Sequence, residues 1–303
     1  PDVKAVRASS MFGMSFVFVI FKDNVDLYFA RNRVLERMNT IQAQLPSGVV
    51  PSLGPDGTGV GHVFWYTLKG ENQDLGTLRS IQDWYVRYKL SAVDGVAEVA
   101  SIGGFVKQYQ VDVNPTDLRG YNLTVSDVVN AVQRSNNEVG GKILEVNDAE
   151  YFVRGQGYIK SMEDIENTVI RGGPNGIPIR IKDVAKVQLG GDIRRGSLEL
   201  NGEGQAVGGI IVMRTGENAQ KVIERVKEKI KEITPGLPEG VEIVSSYDRS
   251  TLIEEAVGTL ERALIEASIT VAIMVMIFLL HFRSIIRILI ELPISILIAF
   301  ILM

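Results

Sequence analysis

Residues 209–241, GIIVMRTGENAQKVIERVKEKIKEITPGLPEGV, give the clearest indication of the fold. The stretch opens with residues 209–213, which are apolar and largely β-branched and predict a strand. Apolar residues then recur at the spacing of one helix face until Pro235 ends the pattern: Ala219, Val222, Ile223, Val226, Ile230 and Ile233. The stretch therefore predicts a strand followed by an amphipathic helix.

An earlier part of the chain repeats this strand and helix. Residues 15–21 (SFVFVIF) predict a strand, residues 23–24 offer a helix N-cap, and a helical apolar pattern then runs to Pro46. The two units close alike, in LPSGV at 45–49 and LPEGV at 237–241. An offset of 192 residues also superimposes three further positions: Val34 on Val226, Glu36 on Glu228 and Ile41 on Ile233. The chain therefore contains an internal duplication.

Strand and helix patterns continue to alternate between the two copies. They predict a strand at 62–68, a helix at 77–89 and strands at 96–102 and 107–113. A further unit over 114–191 contains a helix that opens with TVSD at 124–127 and a hairpin over 142–153. This order argues for an α+β fold of two or three ferredoxin-like, split βαβ modules, followed by the membrane helices described below.

Composition excludes several classes of function. The 303 residues carry 32 Lys and Arg against 36 Asp and Glu, a net charge of −4, which does not favour a nucleic-acid partner. The chain has no Cys and two His, which excludes disulfides, thiolate nucleophiles and sulfur-rich zinc sites. We find no pair of carboxylates at catalytic spacing and no phosphate-binding motif, so the sequence predicts neither a catalytic residue nor a cofactor.

Charged residues nearly vanish towards the end of the chain. The formal charges after residue 266 are Arg283, Arg287 and Glu291. We predict a transmembrane helix over 263–282, because its apolar run is close to the length that spans a bilayer; the alternative is a buried helix of a soluble core. A second apolar stretch over 288–303 predicts the start of another span.

Two arginines between the predicted spans set the orientation. Arg283 and Arg287 lie in a short connection without an acidic residue, and positive loops stay in the cytoplasm. Residues 1–250 then lie on the other side of the membrane, which is the periplasm in a Gram-negative cell. Because the chain starts with Pro1 and stops inside an apolar run, we expect it to be a fragment of a longer multi-pass protein of the inner membrane.

Three motifs that could carry chemistry have plainer interpretations. GPDGTGVG at 54–61 leads into a strand and not into a helix N-terminus, so we expect a flexible structural loop rather than a phosphate site. Met11 and Met14 carry thioethers that suit monovalent copper or silver, but Met usually fills gaps in a core, so we expect packing. Glu291 lies one helical turn after Arg287, which favours an ion pair over a proton-carrying role.

Six segments follow one another in a characteristic order: GPDGTGVG (54–61), LRSIQDWYVRYKL (78–90), VAEVASIGGFVKQYQV (96–111), IKDVAKVQLGG (181–191), RRGSLELNGEG (194–204) and YDRS (247–250). In this order the chain closely resembles the resistance-nodulation-division efflux permeases, over essentially its whole length. GPDGTGVG and GGFVKQYQV look like the heavy-metal branch of that family, the CusA and CzcA type.

The resemblance implies a secondary active transporter and not an enzyme. Such permeases are proton antiporters of the inner membrane that consist of two duplicated halves and form trimers. They work with a periplasmic adaptor and an outer-membrane channel, and those of the heavy-metal branch export metal cations. The carboxylates that carry protons lie beyond Met303, as does the methionine cluster of the copper and silver pumps, so no metal ligand is assigned here.

The resemblance also divides the chain into domains: the end of a first porter subdomain (1–60), a second porter subdomain (61–106 and 192–246), a docking insertion (107–191), a transmembrane helix (263–282) and the start of the next one (288–303). The hairpin of the insertion matches the arm that reaches towards a neighbouring protomer. This match implies oligomer contacts at Leu144, Glu145, Val146, Asn147 and Asp148.

Two alternatives remain open. The same α+β modules with two membrane spans could form a membrane-anchored binding or assembly module that does not transport, and a permease of the same family could export drugs or lipids. The segments at 54–61 and 103–111 favour heavy-metal cations. They do not separate copper and silver from cobalt, zinc and cadmium.

Overall fold

The computed structural model describes residues 2–279 except 139, 142, 147–148, 154, 156, 174–175 and 195, together with 286–287, 290–291, 294–295, 298–299 and 301–302. The chain divides into two compact units, residues 1–57 and 58–303. Both contain strands and helices, so the predicted α+β class is confirmed.

The first unit is a hairpin followed by a helix. β1 (Val3–Met11) and β2 (Met14–Phe21) pair antiparallel across a two-residue turn. The helix α1 (Leu27–Ile41) is capped by Asp26, whose carboxylate accepts a hydrogen bond from the Phe29 amide at 2.8 Å. The sequence analysis placed this cap two to three residues too early, because Asp26 is the acceptor that lies directly before the first helical residue.

From Gly57 onwards the chain carries the following elements: β3 (Gly57–Gly70), α2 (Leu75–Ile81), α3 (Arg87–Ser91), β4 (Val96–Gly103), β5 (Lys107–Val113), α4 (Pro115–Gly120), α5 (Val125–Ser135), β6 (Ile143–Val146), β7 (Ala149–Phe152), α6 (Met162–Glu166), β8 (Val169–Gly172), β9 (Pro178–Arg180), β10 (Ala185–Gly191), β11 (Leu198–Glu199), β12 (Gln205–Arg214), α7 (Ala219–Ile233), β13 (Val241–Asp248) and α8 (Arg249–Leu279). Four strands form the main sheet in the order β13–β3–β12–β4, with β11 pairing the start of β12. This order is the split βαβ topology, because one helix pair follows β3 and one helix follows β12.

The helices of this module pack on its sheet. The helical spacing of the apolar residues in α7 places four of them in the core: Val222, Ile223, Val226 and Ile233. They meet buried side chains of α2, α3 and the strands, including Leu78, Leu90, Val63, Leu68 and Ile211. Full burial of each such side chain contributes about 1.5–3 kcal/mol, so this shared core holds helices and sheet together.

The glycine-rich stretch 54–61 is not a loop along its whole length. β3 begins at Gly57, so the second half of the stretch is strand. A Cβ atom at Gly61 would lie 2.8 Å from the carbonyl oxygen of Met213, which leaves no room for a side chain where β3 passes β12. The expectation of a flexible loop is therefore wrong for Gly57–Gly61, and Gly61 serves the close approach of two strands.

Residues 107–191 leave the module and return beside their starting point. β5 and β10 pair antiparallel from Lys107 opposite Gly191 to Val113 opposite Ala185. The segment between them has its own core: Leu118, Leu123, Val128, Ala131, Ile165, Ile170, Ile179, Ile181, Val184 and Val187. Thr124 and the Asp127 side chain form a reciprocal capping box at the start of α5, which confirms the helix start predicted there.

The helix α8 is 31 residues long and includes most of the predicted span 263–282. Among the residues that the structure describes, no helix is both long enough and apolar enough to cross a membrane. Residues 280–285 and many of residues 288–303 lie outside the described part of the chain. The two spans stay predictions.

Candidate functional site

The hairpin that the resemblance assigns to oligomer contact lies on the surface. β6 and β7 pair antiparallel, with Leu144 opposite Tyr151, and every residue of both strands is exposed. Three of the five predicted contact residues lie on β6: Leu144, Glu145 and Val146. Asn147 and Asp148 lie outside the described residues. Exposed apolar side chains on an isolated strand pair are typical of a surface that another chain covers.

Met11 and Met14 are paired across the tip of the first hairpin. Directly opposed residues of two strands point to the same face, so the two thioethers are neighbours. Both side chains are exposed, at 58% and 41%. The expectation that they fill a core is wrong, because they flank the turn at the end of the hairpin, where nothing in residues 1–57 covers them.

No cluster suited to a metal ion is found among the described residues, where no three His, Asp or Glu side chains come together. Arg287 and Glu291 form an ion pair with 3.7 Å between Nε and Oε1, and both side chains are exposed. This pair confirms the interpretation of Glu291 as an ion-pair partner one turn from Arg287. Arg283 lies outside the described residues.

A buried polar chain runs through the core of the sheet module. The Tyr66 hydroxyl donates to Gln82 Oε1 at 3.0 Å, and Gln82 Nε2 donates to Ser101 Oγ at 3.2 Å. Gln82 opens a π-helical turn, Gln82–Val86, which interrupts the single helix predicted over 77–89. Burial raises the pKa of Tyr66 well above its usual range. Because the three side chains satisfy one another's hydrogen bonds, this buried network stabilises the core and is not a ligand-binding site.

A charged cluster surrounds the joint where β13 passes into α8. Lys227 of α7 places Nζ 2.5 Å from Asp248 Oδ2 and donates to Ser250 Oγ at 3.0 Å. Asp248 Oδ1 accepts hydrogen bonds from the Ser250 amide at 2.9 Å and from the Ser250 hydroxyl at 2.7 Å. Ser250 is only 4% exposed. The cluster therefore connects α7, the end of β13 and the first turn of α8, and we call it the α8 joint.

The carboxylate of the α8 joint stays ionised. Partial burial raises the pKa of Asp248, but the hydrogen bonds from Lys227 and Ser250 outweigh burial and hold this pKa below its usual range. A charge-assisted hydrogen bond is stronger than a neutral one. The ion pair between Lys227 and Asp248 therefore helps to stabilise the α8 joint.

Two further contacts attach β3 to the same joint. Arg249 Nη1 donates to the carbonyl oxygen of Val60 at 2.5 Å. The rings of Trp65 and Tyr247 lie 5.7 Å apart between centroids, at an interplanar angle of 58°. A cavity of about 460 Å³ lies alongside, lined by Ser245, Ser246, Tyr247, Asp248, Thr251, Leu252 and Glu255.

The sequence analysis missed the α8 joint. Asp248 directly before a long helix is a capping signal that was available from the sequence within YDRS. Lys227 lies on another helix, 21 positions earlier, and no local spacing links it to Asp248. The pairing follows from the packing of α7 beside β13, which only the fold reveals.

Known proteins are similar in sequence to this chain along its whole length. The model of the AcrB/AcrD/AcrF family matches residues 1–303. The chain is 48% identical to the putative cation efflux system protein SilA of Salmonella typhimurium, over 100% of the chain and 29% of that protein. It is 47% identical to the cation efflux system protein CusA of Escherichia coli (strain K12), again over 100% of the chain and 29% of the protein.

A less similar relative and a solved structure match the chain as well. The cobalt-zinc-cadmium resistance protein CzcA of Cupriavidus metallidurans is 40% identical over 94% of the chain and 27% of its own length. The crystal structure of a heavy metal efflux pump superimposes with a TM-score of 0.90 at 32% identity, over 100% of the chain and 30% of the pump chain. The chain thus spans less than a third of the relatives it matches.

Proposed function

The chain belongs to the AcrB/AcrD/AcrF family, and we propose that it is part of a proton-driven permease that exports heavy-metal cations. The observation that carries this proposal is the 48% identity to a cation efflux protein, which extends over 100% of the chain. The matched region covers both cores, the connections between them and the α8 joint. The similarity supports the same class of work for the longer protein.

Heavy-metal cations are favoured over drugs or lipids as the substrate. Two relatives are named as cation efflux proteins, a third as a cobalt-zinc-cadmium resistance protein, and the solved structure is a heavy metal efflux pump. We place the metal ligands and the proton-carrying carboxylates outside residues 1–303, as the family resemblance implies. The choice between copper or silver and cobalt, zinc or cadmium is left to the experiment below.

The proposed organisation assigns a role to each part of the chain: a porter subdomain (1–60), a second porter subdomain (61–106 and 192–246), a docking insertion (107–191) and membrane segments (263–282 and from 288 onwards). The pairing of β5 with β10 supports an insertion that leaves and re-enters one module. The charge-free run after Glu266 and the arginines at 283 and 287 support an inner-membrane location with residues 1–250 in the periplasm.

We further propose that the permease is a homotrimer that works with a periplasmic adaptor and an outer-membrane channel. The exposed hairpin β6–β7 supports a contact between protomers at Leu144, Glu145 and Val146, together with residues 147–148. The shared core of the sheet and its helices supports alternating access in which this module moves as one rigid body.

Metal tolerance of cells tests the proposed function. The gene for the longer protein is expressed with its neighbouring adaptor and channel genes in a Gram-negative host that lacks its own metal exporters. We expect increased tolerance to at least one of Ag⁺, Cu⁺, Co²⁺, Zn²⁺ and Cd²⁺, and loss of this tolerance when a protonophore removes the proton gradient. The matched control is the same gene with a stop codon after residue 303.

Two outcomes would contradict the proposal and favour an alternative. Tolerance to drugs or detergents without tolerance to any metal would indicate a drug or lipid permease. No gain in tolerance from a well-expressed protein that still co-purifies with the adaptor would indicate a membrane-anchored assembly module.

A further inference from the structure

We propose that Lys227 and Asp248 are positioning residues that join α8 rigidly to the sheet module, so that a displacement of α8 moves α7, β3 and β13 as one body during transport. This inference rests on the proposed function and assigns a part of the transport cycle to two residues. It concerns the α8 joint, whose residues have no assigned catalytic or metal-binding role.

The first step is that the joint brings three elements to one point. Lys227 comes from the middle of α7, Asp248 ends β13 and Ser250 belongs to the first turn of α8. The Lys227 ammonium contacts both Asp248 and Ser250, and Asp248 accepts two hydrogen bonds from Ser250. A rotation of α8 about its first turn would have to break charge-assisted hydrogen bonds.

The second step is that β3 contacts the start of α8 and the end of β13. Arg249 donates to the Val60 carbonyl, and Tyr247 packs on Trp65. The start of α8 is therefore fixed by neighbours on α7, β3 and β13. A helix anchored in this way carries a displacement from its far end into the sheet, because packed cores transmit strain and do not absorb it.

The third step is a comparison with the other copy of the duplicated unit. The offset of 192 residues places Asp56 on Asp248 but Leu35 on Lys227. Position 35 is a leucine, and the hydroxyl of Tyr28 donates to Asp56 at 3.1 Å. The first copy continues into the strand β3, whereas the second copy continues into the 31-residue helix α8. In the copy that continues into the long helix, the aspartate at this position pairs with Lys227 of α7.

The first test measures metal flux by the full-length protein in proteoliposomes with an imposed pH gradient. Lys227→Met keeps the aliphatic stem and removes the charge, and we expect roughly tenfold lower kcat with an unchanged KM for the metal, since a hydrogen bond to a charged group is lost. Lys227→Arg should retain most of the flux. Lys229→Met is the matched control, because it removes a lysine of the same helix whose ammonium pairs with Glu232 within α7 at 2.7 Å.

A covalent replacement separates positioning from folding. The double variant Lys227→Cys with Asp248→Cys, in a background without other accessible cysteines, should have reduced flux that a short bis-maleimide cross-linker restores. If the joint were a hinge, the cross-link would abolish the flux that remains, and this result would overturn the inference.

A readout that needs no substrate keeps the inference separate from the proposed function. Backbone hydrogen exchange of residues 250–253 should be at least tenfold faster in Lys227→Met and in Asp248→Asn than in the wild type and in Lys229→Met. Unchanged exchange, or full kcat in both variants, would overturn the inference while metal export stands. Absence of metal flux in the wild type, with the expected exchange, would overturn the proposed function and with it the role of the joint in transport.

Discussion

The two copies of the duplicated unit have the same local structure and different surroundings. α1 and α7 both run for 15 residues, at positions exactly offset by 192, and a three-residue 3₁₀ turn follows each of them. Asp26 and Asn218 cap them in the same way, each accepting from the amide three residues on. Gly48 and Gly240 both take a left-handed conformation, at φ of +85° and +78°.

Burial separates the two copies. α7 buries Val222, Ile223, Val226 and Ile233, whereas Ala30 is the buried residue of α1, all of whose residues the structure describes. α7 packs on a sheet whose strands come from distant parts of the chain, and within residues 1–57 α1 has only the hairpin β1–β2. Caps and turns are thus decided by local sequence, and burial is decided by long-range partners.

The largest expected effect comes from the matched isoleucines. Ile233→Ala removes a side chain that is 3% exposed, and we expect the opening free energy of α7 to fall by about 2–5 kcal/mol through lost burial and a cavity. Ile41→Ala is the equivalent change at a site that is 42% exposed, where about 0.5 kcal/mol or less is expected for α1. Hydrogen exchange of each helix in the purified chain measures both opening free energies. Equal losses of opening free energy in α1 and α7 would contradict the difference in burial.

The left-handed glycines should behave alike in both copies. Gly48→Ala and Gly240→Ala each force an L side chain into a positive φ, at a cost of about 1–2 kcal/mol. No atom lies within 4 Å of a Cβ at either site, so backbone strain is the whole effect. Exchange of the flanking amides should rise equally in the two variants. A much larger loss at Gly240 would mean that packing, and not local conformation, fixes this turn.

The helix caps should contribute less than the buried isoleucine and the left-handed glycines. Asp26→Ala and Asn218→Ala each remove one side-chain acceptor, which costs about 1 kcal/mol of helix stability. Asp26→Asn is the matched control and should keep most of that stability, since Asn is as good a cap. Hydrogen exchange of the Phe29 and Lys221 amides measures fraying of the first turn and should increase equally in the two copies. Unequal increases would mean that the two helices are alike in length but not in the strength of their caps.

The sequence predicted what is local and periodic. The bounds of β5, the capping box at Thr124 and Asp127 and the ion pair of Arg287 with Glu291 were all predicted, and the predicted duplication recurs in the matching positions of α1 and α7. Apart from the duplication, these features depend on spacings of two to four residues along one element. They form wherever the helix or strand that contains them forms.

The failures share a dependence on distant partners. Gly57–Gly61 becomes strand because β12 lies beside it, and a single predicted helix is interrupted at Gln82, whose amide bonds Tyr66 and Ser101 on two strands. Met11 and Met14 are exposed because no second layer covers the hairpin tip within its unit. The α8 joint depends on Lys227 reaching a carboxylate on another element, which no local pattern encodes.

Metal transport by the purified full-length protein tests the proposed proton-driven export most directly. Proteoliposomes that contain the protein are loaded with a metal-sensitive dye, and an imposed pH gradient starts the reaction. A proton-driven permease should show metal flux that rises with the pH gradient, disappears with a protonophore, and is accompanied by proton movement in the opposite direction. Metal flux that is the same with and without the gradient, or proton flux driven by drugs and by no metal, would contradict this proposal.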